Sequence, residues 1–143
     1  MTLKVIDYKQ LPTSISNYSK ERYISKVFMD KEWHNIWQRN WLLAGLVCDV
    51  KISGDYFVFN IGTEQILVCH TDKGSIQAFY NVCQHRGNQL VTGQRGNAKT
   101  FRCAYHAWTY DTDGNLKTVP SVDRFGLDPK CEDLALRPIH TAC

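Results

Sequence analysis

Residues 81 to 108 read NVCQHRGNQLVTGQRGNAKTFRCAYHAW and carry two cysteine-histidine pairs, Cys83-x-His85 and Cys103-x-x-His106, separated by the glycine-bearing stretch 86 to 102. The first pair directly follows SIQAFYNV (75 to 82), and the second lies between AKTFRC (98 to 103) and AWTYD (107 to 111). These flanks are rich in β-branched and aromatic residues and are punctuated by Gly93, Gly96 and Asp113-Gly114, the pattern of short strands joined by turns. Both pairs therefore belong at the tips of neighbouring loops, and two loops from one sheet can pinch a metal.

Upstream, GDYFVFNI (54 to 61) and EQILVCHT (64 to 71) are strand-like, and only Gly62 and Thr63 separate them, which is a hairpin signal. Downstream, LKTVP (116 to 120) and LALRPIH (134 to 140) read as further short strands around a surface loop at 121 to 133. The result is a mainly β, antiparallel domain. Earlier in the chain the texture differs. Residues 1 to 24 show little periodicity and read as an irregular arm around Pro12. Ser25 can cap a helix whose apolar positions Met29, Trp33, Ile36 and Trp37 share one face, opposite Lys31, Asn35 and Gln38. Such a stripe is expected to pack against the rest of the domain or a neighbouring subunit. The organisation expected is an N-terminal arm and helix over 1 to 40 and a β domain over 41 to 143.

Composition narrows the functional classes. The chain has 143 residues, with 43% hydrophobic and 22% charged, an ordinary globular balance. The net charge of +3 comes from 17 basic and 14 acidic side chains without basic runs, so neither nucleic acid nor an anionic membrane is an expected partner. The start, MTLKVIDYKQLPTS, has no apolar core of a signal peptide, and no long apolar stretch follows, so a cytoplasmic protein is expected. Six cysteines in that compartment are more consistent with reduced thiols than with a disulfide framework. Cys48 and Cys69 sit in apolar surroundings and are expected to be small buried hydrophobes. His34, His70 and His140 read as ordinary surface or core histidines.

The alternation of ligand types decides what the remaining four residues could hold. A structural zinc site usually groups cysteines on one side and histidines on the other. One cysteine and one histidine per loop instead suits two irons, thiolates on one and imidazoles on the other, as in a Rieske 2Fe-2S centre. Thiolates favour the iron that stays ferric, and imidazoles the iron that becomes ferrous. A cysteine nucleophile with a histidine base remains an alternative, although it leaves the second pair without a purpose. A structural zinc module also stays open.

The segment CQHRGNQLVTGQRGNAKTFRCAYHAWTYDTDGNL resembles the Rieske portion of the α subunits of bacterial ring-hydroxylating, non-haem-iron oxygenases. YISKVFMDKEWHNIWQRNWLLAG (23 to 45) resembles the family's N-terminal helix and the strand after it, and GDYFVFNIGTEQILV the segment that follows. The resemblance implies that Cys83 and Cys103 ligate one iron and His85 and His106 the other. It implies that Arg86, Gly87, Tyr105 and Trp108 shape the loops whose backbone amides meet the cluster sulfurs. The family commonly has Pro and Gly where this chain has Ala104 and Ala107, so Ala107 must tolerate an unusual backbone angle or alter its loop. High-potential Rieske proteins carry an extra cysteine in each loop and a serine hydroxyl on the cluster. Their absence here implies a potential near the low end of the range, roughly −150 mV.

In that family a mononuclear Fe(II), held by two histidines and a carboxylate in a C-terminal catalytic domain, activates O2. No such triad can be read before Cys143. The resemblance therefore implies the electron-relay portion of an aromatic-ring-hydroxylating dioxygenase or monooxygenase α subunit. A reductase or ferredoxin would reduce it, and the catalytic domain of the same or an adjacent α subunit, in a trimer, would receive the electron. Substrate and regiochemistry lie outside this reading. The alternative is a free-standing Rieske ferredoxin, against which stands the helix around Trp33, Trp37 and Trp41.

Overall fold

The computed structural model describes residues 19 to 120 and 134 to 143, and the chain divides into two units, Met1–Leu42 and Leu43–Cys143. The loop expected at 121 to 133 and the first 18 residues of the arm expected at 1 to 24 lie outside the described residues.

In the first unit, α1 (Glu21–Ile24) is a single helical turn where an irregular arm was expected, and α2 spans Lys26–Asn35. Ser25 separates them and caps α2: its backbone is extended, and its hydroxyl accepts from the Phe28 amide at 3.3 Å. That bond satisfies one of the amides left unpaired at a helix start. The helix is shorter than the apolar stripe suggests. It closes at Asn35, and Trp37 opens a separate 3-10 turn, Trp37–Arg39. No residue of α2 is buried, and Met29 and Ile36 are exposed while Trp33 is half-buried.

The second unit contains two antiparallel sheets. One has the order β4-β1-β2-β3-β8, from Arg95–Asn97, Asp55–Ile61, Glu64–His70, Ile76–Tyr80 and Pro138–Ile139; the other has the order β5-β6-β7, from Thr100–Arg102, Thr109–Asp111 and Leu116–Thr118. The β1–β2 hairpin closes with Ile61 opposite Glu64, as the two-residue turn requires. Alternation then assigns the faces. Val58, Leu67, Cys69 and Phe79 face a core shared with Phe101, Tyr110 and Leu116 of the second sheet. Phe57, Ile66, Val68 and Ala78 point the other way and pack with Val50.

Four expectations from sequence need correction here. Residues 41 to 46 form no strand, and a 3-10 turn, Val47–Asp49, follows them. Cys48 lies in that turn and is exposed, whereas Cys69 is fully buried as expected. The local apolar neighbours of Cys48 do not reach a core, since Leu46 and Val47 are themselves exposed. The third correction concerns Gly96, read as turn punctuation. It sits inside β4 opposite Tyr56, and a Cβ at Gly96 would lie 2.7 Å from the Tyr56 hydroxyl. Tyr56 in turn meets Phe101 edge-on at 5.6 Å, joining the two sheets. The last strand is also shorter than expected, two residues within 134 to 140.

Candidate metal centre

The two loops come from different sheets, not from one. Cys83 follows β3 after a short connection, and Cys103 to Trp108 joins β5 to β6. Their backbones nevertheless match bond for bond. The Cys83 amide donates to the Asn88 carbonyl and the Cys103 amide to the Trp108 carbonyl, each at 2.8 Å. The Gly87 amide donates to the Cys83 carbonyl and the Ala107 amide to the Cys103 carbonyl, each at 3.0 Å. Both loops turn at that fourth position through a left-handed residue, Gly87 at φ +69° and Ala107 at φ +57°. Ala107 is the one non-glycine with positive φ among the described residues. The loop keeps its shape and the alanine bears the steric cost.

The loops are anchored differently. The second is closed by the β5–β6 ladder, with Arg102 opposite Thr109. The first is closed by an isolated antiparallel bridge, Val82 opposite Gln89, and by one side chain, the fully buried Asn81. Its Nδ2 donates to the Val91 carbonyl at 2.7 Å, and its Oδ1 accepts from the Val91 amide at 2.8 Å, as a neighbouring strand would.

All four ligand candidates converge. Cys83 and Cys103 are buried free thiols within hydrogen-bonding reach of each other, and the His85 and His106 rings meet edge-on at 4.6 Å. Trp108 is buried and stacks flat on His85 at 4.8 Å, while Tyr105 is exposed and lies over His106 at 3.8 Å. Arg86 is exposed beside His85.

The electrostatics are those of a ligand set. Burial, then the charges of His106 and Arg86, lower the His85 pKa and keep its ring in the neutral, coordinating form. Burial pushes the Cys83 thiol up, against donors from Tyr110 and the His85 amide. Burial would raise Cys103 too, but donors from the Tyr105 and His106 amides, Cys83 and Asn88 carry it downward. The fit to a cluster rests on the histidines. Nδ1 of His85 and Nδ1 of His106 are both buried without a hydrogen-bond partner, which is costly for a polar atom unless something else binds it. Two such nitrogens and two thiols in one pocket match the donor set of a Rieske cluster.

Sequence reading missed two residues that touch the sulfurs. The Tyr110 hydroxyl accepts from the Gln84 amide at 3.1 Å and lies 3.5 Å from Cys83 Sγ, so its own proton is free to point at the sulfur. Asn88 Nδ2 lies 3.8 Å from Cys103 Sγ. The sequence held a signal for Tyr110: it lies two residues beyond Trp108 in the strand expected at 107 to 111, and both are buried in the same core. The other histidines are where a plain reading puts them. His34 is exposed on α2, His70 hydrogen-bonds the Val50 carbonyl at 3.0 Å, and His140 is exposed.

Known proteins agree with this geometry. Residues 40–136 match the family described as Rieske [2Fe-2S] domain. The chain is 32% identical over 118 residues to a glycine betaine monooxygenase oxygenase subunit of Pseudomonas aeruginosa, covering 82% of this chain and 27% of that protein. It is 40% identical over 107 residues to the large oxygenase component of a naphthalene 1,2-dioxygenase system from Pseudomonas aeruginosa, covering 73% of this chain and 24% of that protein. It thus spans about a quarter of the length of these relatives. Among solved structures, the quaternary ammonium Rieske monooxygenase CntA superposes with a TM-score of 0.79 at 28% identity, over 86% of this chain and 34% of that one. Naphthalene 1,2-dioxygenase from Rhodococcus sp. gives 0.73 at 37% identity, over 78% and 26%. With the same fold, the matching span and a paired thiol and imidazole pocket, this chain belongs to the Rieske 2Fe-2S domain family.

Proposed function

We propose that this chain is the electron-relay portion of a Rieske non-haem-iron oxygenase α subunit, with Cys83 and Cys103 holding one iron of the cluster and His85 and His106 the other. The observation that carries this reading is the pair of buried, unpartnered Nδ1 atoms in the same two loops as two buried thiols. When bound, the cluster supplies one-electron redox chemistry. The chain's own residues do the rest. Trp108 and Tyr105 hold the two imidazole rings in place, and the amides of His85, Tyr105 and His106 donate to the cysteine sulfurs. Arg86 stays at the exposed rim. The family resemblance makes His106 the proposed exit ligand.

A reductase or ferredoxin is the proposed donor, and a mononuclear Fe(II) in a catalytic domain of the same or an adjacent α subunit the acceptor, in a trimeric oxygenase. The named relatives act on glycine betaine and on naphthalene, so both quaternary ammonium and aromatic substrates belong to the proposal. A cytoplasmic location is proposed with it; among the described residues no helix is long and apolar enough to cross a membrane. A free-standing Rieske ferredoxin is the second reading. The arm and helix over 1 to 40 count against it, and the two-part division into 1 to 40 and 41 to 143 belongs to the oxygenase proposal.

The test is direct. The purified protein should be brown and, once reduced by dithionite, should give the electron paramagnetic resonance signal of mixed nitrogen and sulfur ligation. His106→Cys should either lose the cluster or lower its potential sharply, because thiolate stabilises ferric iron more than imidazole does. A colourless protein carrying stoichiometric zinc would refute the assignment.

A further inference from the structure

The two loops are matched in backbone, so the residues that close them, Asn88 and Trp108, occupy equivalent positions: each offers its carbonyl to the amide of its own loop's cysteine. Each also sends its side chain across to the opposite loop. Trp108 stacks on His85, and Asn88 points its Nδ2 at Cys103 Sγ. The same Nδ2 group donates to the Gln89 carbonyl at 2.8 Å. That carbonyl fixes the amide's orientation, since the reverse rotamer would set Oδ1 against another oxygen. One N–H is therefore committed to Gln89 and the other is left for the sulfur. Tyr110 serves Cys83 in the corresponding way. Each candidate thiolate thus meets one side-chain donor that is not from its own loop turn.

We infer that Asn88 is a potential-setting residue: its side-chain amide, reaching from the first loop to the Cys103 sulfur of the second, selectively stabilises the reduced cluster. The inference rests on the relay reading and deepens it. Reduction adds one electron, delivered by the reductase or ferredoxin, and no proton or bond is required to change. The added negative charge is shared by the sulfurs, and an N–H aimed at a sulfur stabilises the more negative state more than the less negative one. Losing the donor therefore lowers the potential. Asn88 acts on the ligand sulfur through a hydrogen bond and touches no substrate, so it is a positioning and tuning residue.

The experiment is a potentiometric titration of the whole protein, followed by visible circular dichroism, for the wild type, Asn88→Leu and Asn88→Gln. Asn88→Leu should shift the reduced-to-oxidised ratio at fixed ambient potential roughly three- to ten-fold toward the oxidised form, about 30 to 60 mV at 59 mV per tenfold. Asn88→Gln, which keeps the amide, should recover part of that shift. Pulsed electron paramagnetic resonance on wild type labelled with 15N-asparagine should show a weak nitrogen coupling that the same labelling in Asn88→Leu lacks. The pulsed measurement needs only the wild type and an unlabelled control if Asn88→Leu does not hold a cluster, and a missing coupling there overturns the inference. An unchanged midpoint in a brown, cluster-bearing Asn88→Leu overturns it while leaving the relay reading intact. A wild type without any cluster overturns both.

Discussion

Ala107 carries the clearest local conflict in the molecule. Its φ of +57° is one that a Cβ disfavours by about 1–2 kcal/mol, yet the loop takes the same turn as the one at Gly87. Glycine restores the lost steric freedom but adds unfolded-state entropy, so Ala107→Gly should stabilise the protein by a net of about 0.5–1 kcal/mol in urea unfolding. A destabilised variant would show that the alanine methyl makes a compensating contact. The thiols divide at the same scale. Burial, with the charges of Asp113 and Asp111 adding to it, pushes Cys69 up to about 12, whereas Cys48 is exposed. Iodoacetamide at neutral pH should therefore alkylate Cys48 in the folded protein and spare Cys69 until the chain is unfolded, as read by peptide mass spectrometry. The sulfur donors Tyr110 and Asn88 also bear on the redox expectation. They add side-chain hydrogen bonds where the sequence suggested a lack of them, and so raise the expected potential from the floor of the Rieske range.

Among the elements, β4 is the one whose place depends most on charged side chains. It has three residues, contains Gly96 and lies at the sheet edge, so its ladder to β1 is short. Two carboxylates reinforce it. Asp49 lies below the usual carboxylate range because the Leu46 amide and the Arg95 guanidinium donate to it, the latter at 2.8 Å. Asp55 is lowered by Asn97 Nδ2 at 2.9 Å and by the Ile52 amide. A carboxylate with a depressed folded-state pKa adds stability above its unfolded value and loses it as the pH falls through the folded one. Stability in urea should therefore hold from neutrality down to about pH 5 and decline below about pH 4, and Asp49→Asn with Asp55→Asn should flatten that decline. An identical acid profile in the double variant would remove these groups from the account.

For the second unit as a whole, the two sheets are held by one core, and that core also holds the site. Leu67 is fully buried in the cluster that includes Cys83, Cys103, Trp108 and Tyr110. Leu67→Ala should cost roughly 2–5 kcal/mol of stability, from lost burial and the cavity left behind. Because the ligand loops spring from different sheets, the same change should loosen their relative position and speed loss of iron from the folded protein. Retention of iron at the wild-type rate, despite the lower stability, would show that the loops hold each other without help from the core.

The sequence by itself determined the four candidate ligands, their grouping into two loops, the β1–β2 hairpin and the Ser25 cap. Each is written in local spacing: alternation, a two-residue turn, or a polar residue three positions before the amide it serves. What the tertiary structure decided are the long-range contacts. That the loops rise from two sheets, that Gly96 is a strand residue under Tyr56, that Cys48 is exposed, and that Asn88 and Tyr110 reach sulfurs of the opposite loops depend on chain segments brought together from afar. Local pattern reports which face a side chain takes, whereas what lies against that face is set by how the sheets pack.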